Sequence, residues 1–122
     1  MKNWKLRMRK NLIQDRTFDL ALGVIKVYVK MTDKKEYVLS KQLLKSGTSI
    51  GANVEEAIAG QSKRDFLSKM NISLKEARET NYWLRLLKES KLVDVDFAPA
   101  LKESKEITNI ISAIVKTTKE NV

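Results

Sequence analysis

The sequence predicts an all-α protein, an up-down-up-down antiparallel four-helix bundle. Apolar residues recur every three or four positions over most of the chain, which is the spacing of amphipathic helices. The 122 residues include one Pro and four Gly, so turn-forming residues are too few for a sheet with many turns. Short polar connections separate the helical segments, and such connections favour antiparallel neighbours.

A basic lead precedes the bundle. We place the lead at residues 1–13 and the bundle at residues 14–119. The four helices are predicted at about residues 15–31, 36–59, 63–91 and 96–118.

Helix-start signals mark three of these segments. Asp15 or Thr17 can cap the first helix. Ser62, with an acidic residue three positions later, resembles a capping box before the third. Asp94 or Asp96 can cap the fourth, whose Pro fits only within the first turn.

The first helix is apolar on two faces, which predicts burial on two sides. One stripe consists of Phe18, Leu22, Ile25 and Val29. The other consists of Leu20, Val24, Val27 and Met31.

Residues 46–57 of the second helix include residue types that helix interiors usually avoid. Gly47 and Gly51 lie four apart, and each costs about 1 kcal/mol relative to Ala. We predict that the third helix packs closely against this surface and offsets the cost.

Small polar and acidic residues also fall on inward-facing positions. We expect them to form a hydrogen-bonded core network that fixes the helix register, and a functional polar pocket is the alternative. Di-iron bundles use a Glu-x-x-His motif, and this chain has no His, so no metal site is predicted. The candidates for this polar core are Ser46, Ser49, Asn53, Glu56 and Glu76.

Composition argues against several function classes. The chain contains no His and no Cys, and no phosphate-cradling loop or cofactor fingerprint is present. We therefore predict a protein that is not an enzyme and has no cofactor. No apolar run approaches the roughly 20 residues of a membrane-spanning helix. The N-terminus lacks the apolar core of a secretory signal, so we expect a cytoplasmic protein without a membrane partner.

The net charge of +9 is unevenly distributed, and every charge in the lead is positive. Such clustering favours binding to nucleic acid, whereas lysine-rich solubilising helix surfaces are the simpler alternative. The candidate nucleic-acid-binding residues are Lys5, Arg7, Arg9, Lys10, Lys63, Arg64, Arg78, Arg85 and Lys88.

Large apolar residues of the third helix lie outside the seven-residue repeat that predicts its inward face. Aromatic residues in such positions are typical of subunit contacts. The candidate oligomer interface consists of Ile72, Tyr82, Trp83 and Leu86.

Three parts of the chain resemble one protein family: residues 42–56 (QLLKSGTSIGANVEE), Phe66, and residues 74–87 (LKEARETNYWLRLL). They are similar to the four-helix-bundle proteins named after the 23S rRNA intervening sequence, and the resemblance extends from about residue 12 to residue 117. Many members end the central motif in Ala-Glu-Gly where this chain has residues 55–57, Glu-Glu-Ala.

The resemblance implies a closed bundle that assembles into a ring-shaped homo-pentamer. It also implies relatives such as the accessory variability protein of diversity-generating retroelements, a basic ring that binds nucleic acid and a reverse transcriptase. We therefore predict a homo-oligomer that binds nucleic acid electrostatically and without sequence specificity, with RNA as the expected partner. The same protein could instead act as an adaptor for a nucleic-acid-processing partner such as a reverse transcriptase. The alternative is a protein-interaction scaffold with no nucleic-acid role.

Overall fold

The computed structural model describes residues 13–120, and these residues form helices without any strand. The predicted all-α class with four helices is therefore confirmed. The helices are α1 (Ile13–Asp33), α2 (Leu39–Ala59), α3 (Lys63–Ser90) and α4 (Ala98–Glu120).

The four helices enclose one apolar core. α1 packs against α2 and α4, and α3 packs against the same two helices, so α2 and α4 separate α1 from α3. Each helix contributes fully buried side chains to the core, among them Val24, Ile50, Leu84 and Ile111. Only one of the two apolar stripes of α1 is buried, and the stripe from Phe18 to Val29 remains on the surface of the single chain.

Two of the predicted helix starts agree with the structure. The Ser62 hydroxyl accepts a hydrogen bond of 3.0 Å from the backbone amide of Asp65, which caps α3. The Asp96 carboxylate accepts one of 3.1 Å from the amide of Ala98 at the start of α4. α1 already includes Ile13, so the suggested caps Asp15 and Thr17 lie inside the helix.

The glycines of α2 face α1, so the prediction that α3 packs against them was wrong. A Cβ atom on Gly47 would lie 2.8 Å from both methyl carbons of Val24. A Cβ atom on Gly51 would lie 3.3 Å from Thr17. The missing side chains let α1 approach α2 closely, and the resulting contact offsets the low helix propensity of glycine.

Hydroxyl groups, not glycines, join α2 to α3. The Thr80 and Ser46 hydroxyls are hydrogen-bonded to each other at 3.0 Å, and Ser73 donates to the carbonyl of Ile50 at 2.9 Å. All three hydroxyl-bearing residues are fully buried. A buried hydroxyl without a partner costs free energy, so these bonds favour one register between the two helices.

The predicted core network does not extend beyond Ser46. Ser49 and Asn53 are half-buried and bond back to their own helix, with the Asn53 amide donating to the Ser49 carbonyl at 2.9 Å. The Glu56 side chain is exposed and lies 3.1 Å from the ammonium of Lys69. The half-buried Glu76 accepts a bond from Thr80 through its backbone carbonyl.

Ser49, Asn53 and Glu56 lie outside the core because the buried stripe of α2 runs along a different side of the helix. That stripe passes through Val54, which is fully buried, and not through its neighbour Asn53. One residue turns a helix by about 100°, so the apolar side chain takes the core position and the amide moves to the flank. Burying Val54 gains hydrophobic free energy, whereas burying Asn53 would require hydrogen-bond partners.

The start of α2 depends on Glu36, a residue that the sequence analysis did not single out. α2 begins at Leu39, and its N-cap residue Val38 makes no side-chain capping bond. The Glu36 carboxylate instead accepts bonds from the backbone amides of Val38, Leu39 and Ser40 at 3.2, 3.1 and 2.8 Å. Partial burial alone would raise the pKa of Glu36, but these amide bonds outweigh it and lower the pKa.

We expect Gly47→Ala to lower the free energy of unfolding by about 1 kcal/mol. The new methyl group would meet Val24, and overpacking of this kind costs about 1–3 kcal/mol, more than the roughly 1 kcal/mol gained in helix propensity. Gly23→Ala is the matched control, because no heavy atom lies within 4 Å of the added Cβ position. It should raise stability by about 1 kcal/mol. Urea denaturation measures both, and an equal gain at the two positions would contradict the packing argument.

We expect Glu36→Ala to destabilise the protein by about 1 kcal/mol at neutral pH, as the loss of a helix cap does. Because folding lowers the pKa of Glu36, this stabilisation is present above the reference value of 4.5 and disappears as the pH falls through the folded value. Urea denaturation of both proteins between pH 7 and pH 3 tests the effect.

Asp33→Asn is the control for this experiment. It removes an exposed carboxylate at the other end of the same connection, and it should change stability by less than about 0.5 kcal/mol. A constant difference between wild type and Glu36→Ala down to pH 3 would rule out the role of the carboxylate.

Candidate nucleic-acid interface

Part of the predicted basic surface lies outside residues 13–120, namely Lys5, Arg7, Arg9 and Lys10. The chain enters α1 at Ile13, and the next residue, Gln14, donates a bond of 2.8 Å to Glu55 near the end of α2. Only three residues separate α2 from α3. The start of α1 therefore lies at the same end of the protein as Lys63 and Arg64 of α3.

Arg78, Arg85 and Lys88 lie along the edge of α3 that borders α4. Asn81 identifies this edge, because its amide donates to the Thr108 hydroxyl of α4 at 2.9 Å and its carbonyl oxygen accepts from Ser104. Arg78 and Arg85 are three and four residues away from Asn81, so they share its side of the helix. All three cations are exposed.

α4 adds lysines that the sequence analysis did not single out. Thr108 marks the edge of α4 that borders α3, and Lys105 lies one turn before it. Lys116 follows Thr108 by about two turns, whereas Lys102 lies four residues before Glu106 and shares the outer side of α4 with it. We define the α3–α4 basic band by five exposed residues, which are Arg78, Arg85, Lys88, Lys105 and Lys116.

Acidic residues of α4 are turned towards α1 instead. The Arg16 guanidinium lies 2.8 Å from the Glu106 carboxylate and also bonds Glu103. The bonds to Glu103 and Glu106 raise the pKa of Arg16 above its ordinary value. This pairing places negative charge at the α1–α4 contact and leaves the other edge of α4 to lysines.

Little of the charge in the basic band is neutralised by neighbouring carboxylates. Lys88 has the Glu89 carboxylate at 3.6 Å. Within residues 13–120, Arg78, Lys105 and Lys116 take part in no ion pair shorter than 4.0 Å. The band therefore keeps a positive potential that is available to an anionic partner.

The predicted interface residues of α3 separate into two environments. Tyr82 is exposed, stacks edge-on with Trp83 at 5.2 Å between ring centroids, and lies 5.9 Å from the Arg85 guanidinium. Ile72 and Leu86 are also exposed. Trp83 instead packs against the core and donates a bond of 3.3 Å to the Glu79 carboxylate.

Two further features of residues 13–120 bear on the class of protein. No three carboxylates in this part of the chain are grouped so that they could hold a metal ion. None of the four helices combines the length and apolar character needed to cross a membrane.

The fold and its surface define a four-helix protein with an extended basic face. The chain belongs to the 23S rRNA-intervening sequence protein family, whose profile matches residues 9–113, and the predicted resemblance is confirmed. A solved structure from Bacteroides thetaiotaomicron VPI-5482, a protein of unknown function from the S23 ribosomal protein family, is 41% identical with a TM-score of 0.81. The similarity covers 87% of this chain and 96% of that chain. No curated protein matches the chain significantly.

We expect Asn81→Ala to lower the free energy of unfolding by about 1–3 kcal/mol, because the hydroxyls of Ser104 and Thr108 lose their shared partner at the α3–α4 contact. Asn71→Ala, an exposed position on the same helix, is the control and should change stability by less than about 0.5 kcal/mol. Thermal denaturation of the two variants measures the difference. Similar melting temperatures would show that Asn81 does not join the helices.

Proposed function

We propose that this protein is a non-enzymatic, cytoplasmic homo-oligomer that binds nucleic acid through the α3–α4 basic band and the N-terminal lead. RNA is the expected partner. The observation that carries the proposal is the partition of charge on α4. Arg16 holds Glu103 and Glu106 on one edge, and lysines occupy the other edge beside Arg78 and Arg85. An extended, weakly neutralised cationic surface is the electrostatic signature of nucleic-acid binding.

The dimensions of the band support this proposal. Residues 105–116 of α4 span about 17 Å at 1.5 Å per residue, which corresponds to roughly five phosphates of one strand. The cations project from helix surfaces, and the connections between the helices of residues 13–120 are at most seven residues long. Binding of this kind depends on phosphates, so it is insensitive to sequence and weakens steeply with salt. The family name refers to 23S rRNA, which favours RNA as the partner.

We also propose the up-down-up-down arrangement of the bundle. Contacts between consecutive helices run in opposite directions and support it, because Thr17 and Val24 of α1 pack against Gly51 and Gly47 of α2 in reverse order. The bonds that join residues 46 and 50 of α2 to residues 80 and 73 of α3 follow the same pattern. This arrangement places Ile13, Lys63 and Lys116 near one end and Lys88 near the other.

A scaffold that recruits another protein is the second candidate, with a reverse transcriptase or another nucleic-acid-processing enzyme as the partner. The exposed apolar side chains of Ile72, Tyr82 and Leu86 favour this alternative. It requires no affinity for nucleic acid, so binding titrations separate the two candidates.

We expect Arg78→Gln combined with Arg85→Gln to weaken RNA binding and to reduce the salt dependence. Removing two phosphate contacts should lower the slope of log affinity against log salt by about 2. The affinity lost between 50 and 200 mM salt should then be about tenfold smaller than for the wild type. Fluorescence anisotropy with a structured RNA of about 30 nucleotides measures both quantities.

Lys34→Gln combined with Lys41→Gln is the matched control. It removes the same net charge from the connection between α1 and α2 and the start of α2, away from the basic band, and should leave the slope nearly unchanged. Equal losses in both double variants would show a diffuse charge effect. Absence of RNA and DNA binding at 50 mM salt would remove the proposed function and favour the scaffold.

A further inference from the structure

Tyr82 is an exposed aromatic side chain at the margin of the α3–α4 basic band. Its side chain is 48% exposed on the surface of α3. Arg78 lies four residues before it and Arg85 three residues after it, and residues at these spacings are neighbours on a helix surface. Both arginines belong to the band. The Tyr82 ring therefore lies between two cations that the proposed function assigns to phosphates.

Trp83 supports the Tyr82 ring from one side. The two rings meet edge-on, with 5.2 Å between their centroids and 69° between their planes. Trp83 is itself held in place, because it packs against the apolar core and donates a bond of 3.3 Å to the Glu79 carboxylate. An edge-on pair covers at most one face of the Tyr82 ring. A supported ring also loses little conformational entropy when a ligand stacks on it.

The Arg85 guanidinium lies over the Tyr82 ring without touching it. The central guanidinium carbon is 5.9 Å from the ring centroid, whereas stacked carbon atoms in contact are about 3.5 Å apart. A planar group between the two would need about 7 Å, which is twice the contact distance. Arg85 is exposed and forms no ion pair shorter than 4.0 Å within residues 13–120. Widening the gap by about 1 Å therefore breaks no ion pair.

A nucleobase fits this gap in shape and in chemistry. Bases are planar, and unpaired bases stack on aromatic side chains and on arginine planes. A base inside a duplex is already stacked on its neighbours, and removing it from the stack costs free energy. The gap between Tyr82 and Arg85 therefore suits a base that is not paired.

The strand on either side of such a base meets further cations. Lys75 and Arg78 precede Tyr82 by about 10 and 6 Å along the helix axis. Both are exposed, and neither takes part in an ion pair shorter than 4.0 Å within residues 13–120. Glu79 is the acidic residue nearest to Tyr82 in sequence, and its half-buried carboxylate is directed to the Trp83 indole.

We propose that Tyr82 and Arg85 form a binding site for one unpaired nucleobase of RNA, with Arg78 binding a phosphate of the same strand. The inference rests on the proposed function and adds a preference to it. The basic band by itself binds paired and unpaired strands alike, because both present phosphates. The base site adds affinity for loops and single strands, and it accepts any base because every base has a stacking face.

Two substitutions at Tyr82 test the site. Tyr82→Leu keeps an apolar side chain but removes the ring, and Tyr82→Phe keeps the ring. The RNAs are a single strand of about 12 nucleotides and a blunt duplex of the same length, and fluorescence anisotropy measures affinity. We expect Tyr82→Leu to weaken single-strand binding about tenfold and duplex binding less than about twofold. Tyr82→Phe should change neither affinity by more than about twofold.

The salt dependence separates stacking from charge. Tyr82→Leu removes no cation, so the slope of log affinity against log salt should stay at the wild-type value. Arg85→Lys keeps the charge but removes the planar group. It should therefore weaken single-strand binding more than duplex binding, again with an unchanged slope. Tyr37→Leu, at a position 54% exposed before α2, is the matched control and should leave both affinities unchanged.

The possible failures of the base site and of the proposed function are distinct. A wild type that binds neither RNA rejects the proposed function, and the base site with it. A wild type that binds both RNAs, with equal losses or no loss for Tyr82→Leu, overturns only the base site. Light scattering provides the remaining check. A change in assembled mass for Tyr82→Leu would assign Tyr82 to a protein contact and overturn the base site as well.

Discussion

The close approach of α1 to α2 at Gly47 and Gly51 is the contact on which the rest of the structure depends. The same segment of α2 faces α1 with glycines and faces α3 with Ser46 and the carbonyl of Ile50. This stretch of α2 therefore fixes how three helices are aligned along the bundle axis. The space beside the glycines is filled only when the neighbouring helix packs closely, because voids in a protein core are unfavourable. The buried hydroxyls keep their hydrogen bonds in only one register of α2 and α3. The packing of these helices in turn determines where side chains lie on the outer surface.

Surface charge follows from the same packing. Arg16 lies on the edge of α1 that borders α4, and it holds Glu103 and Glu106 there. Lysines of α4 consequently share the other edge with the cations of α3. Neither helix is strongly basic on all sides, yet their common edge is. If copies assemble into a ring, several such bands act together, and a modest attraction per chain becomes a substantial affinity through multivalency.

The basic band and the exposed apolar residues of α3 lie on different sides of this helix. Asn81 turns Arg78 and Arg85 towards α4, whereas Ile72, Tyr82 and Leu86 point away from the core. A protein contact through the apolar side would therefore leave the basic band accessible except near Arg85. Arg85 also lies beside the Tyr82 ring, so the two surfaces meet at this residue. Assembly and nucleic-acid binding can then be separated by substitutions on one helix.

The sequence alone determined the all-α class, the four helices, the family and the cap at Ser62, because periodicity and capping are local properties of the chain. It left the cap of α4 open between Asp94 and Asp96, and the structure selects Asp96. The sequence also showed that α1 has two apolar stripes. Only the tertiary structure decided which helix meets Gly47 and Gly51, and that Asn53 and Glu56 lie outside the core. The edge of α4 that borders α3 was likewise decided by packing. A helix carries the same periodicity whichever neighbour it has, so pairing depends on contacts between residues that are distant in sequence.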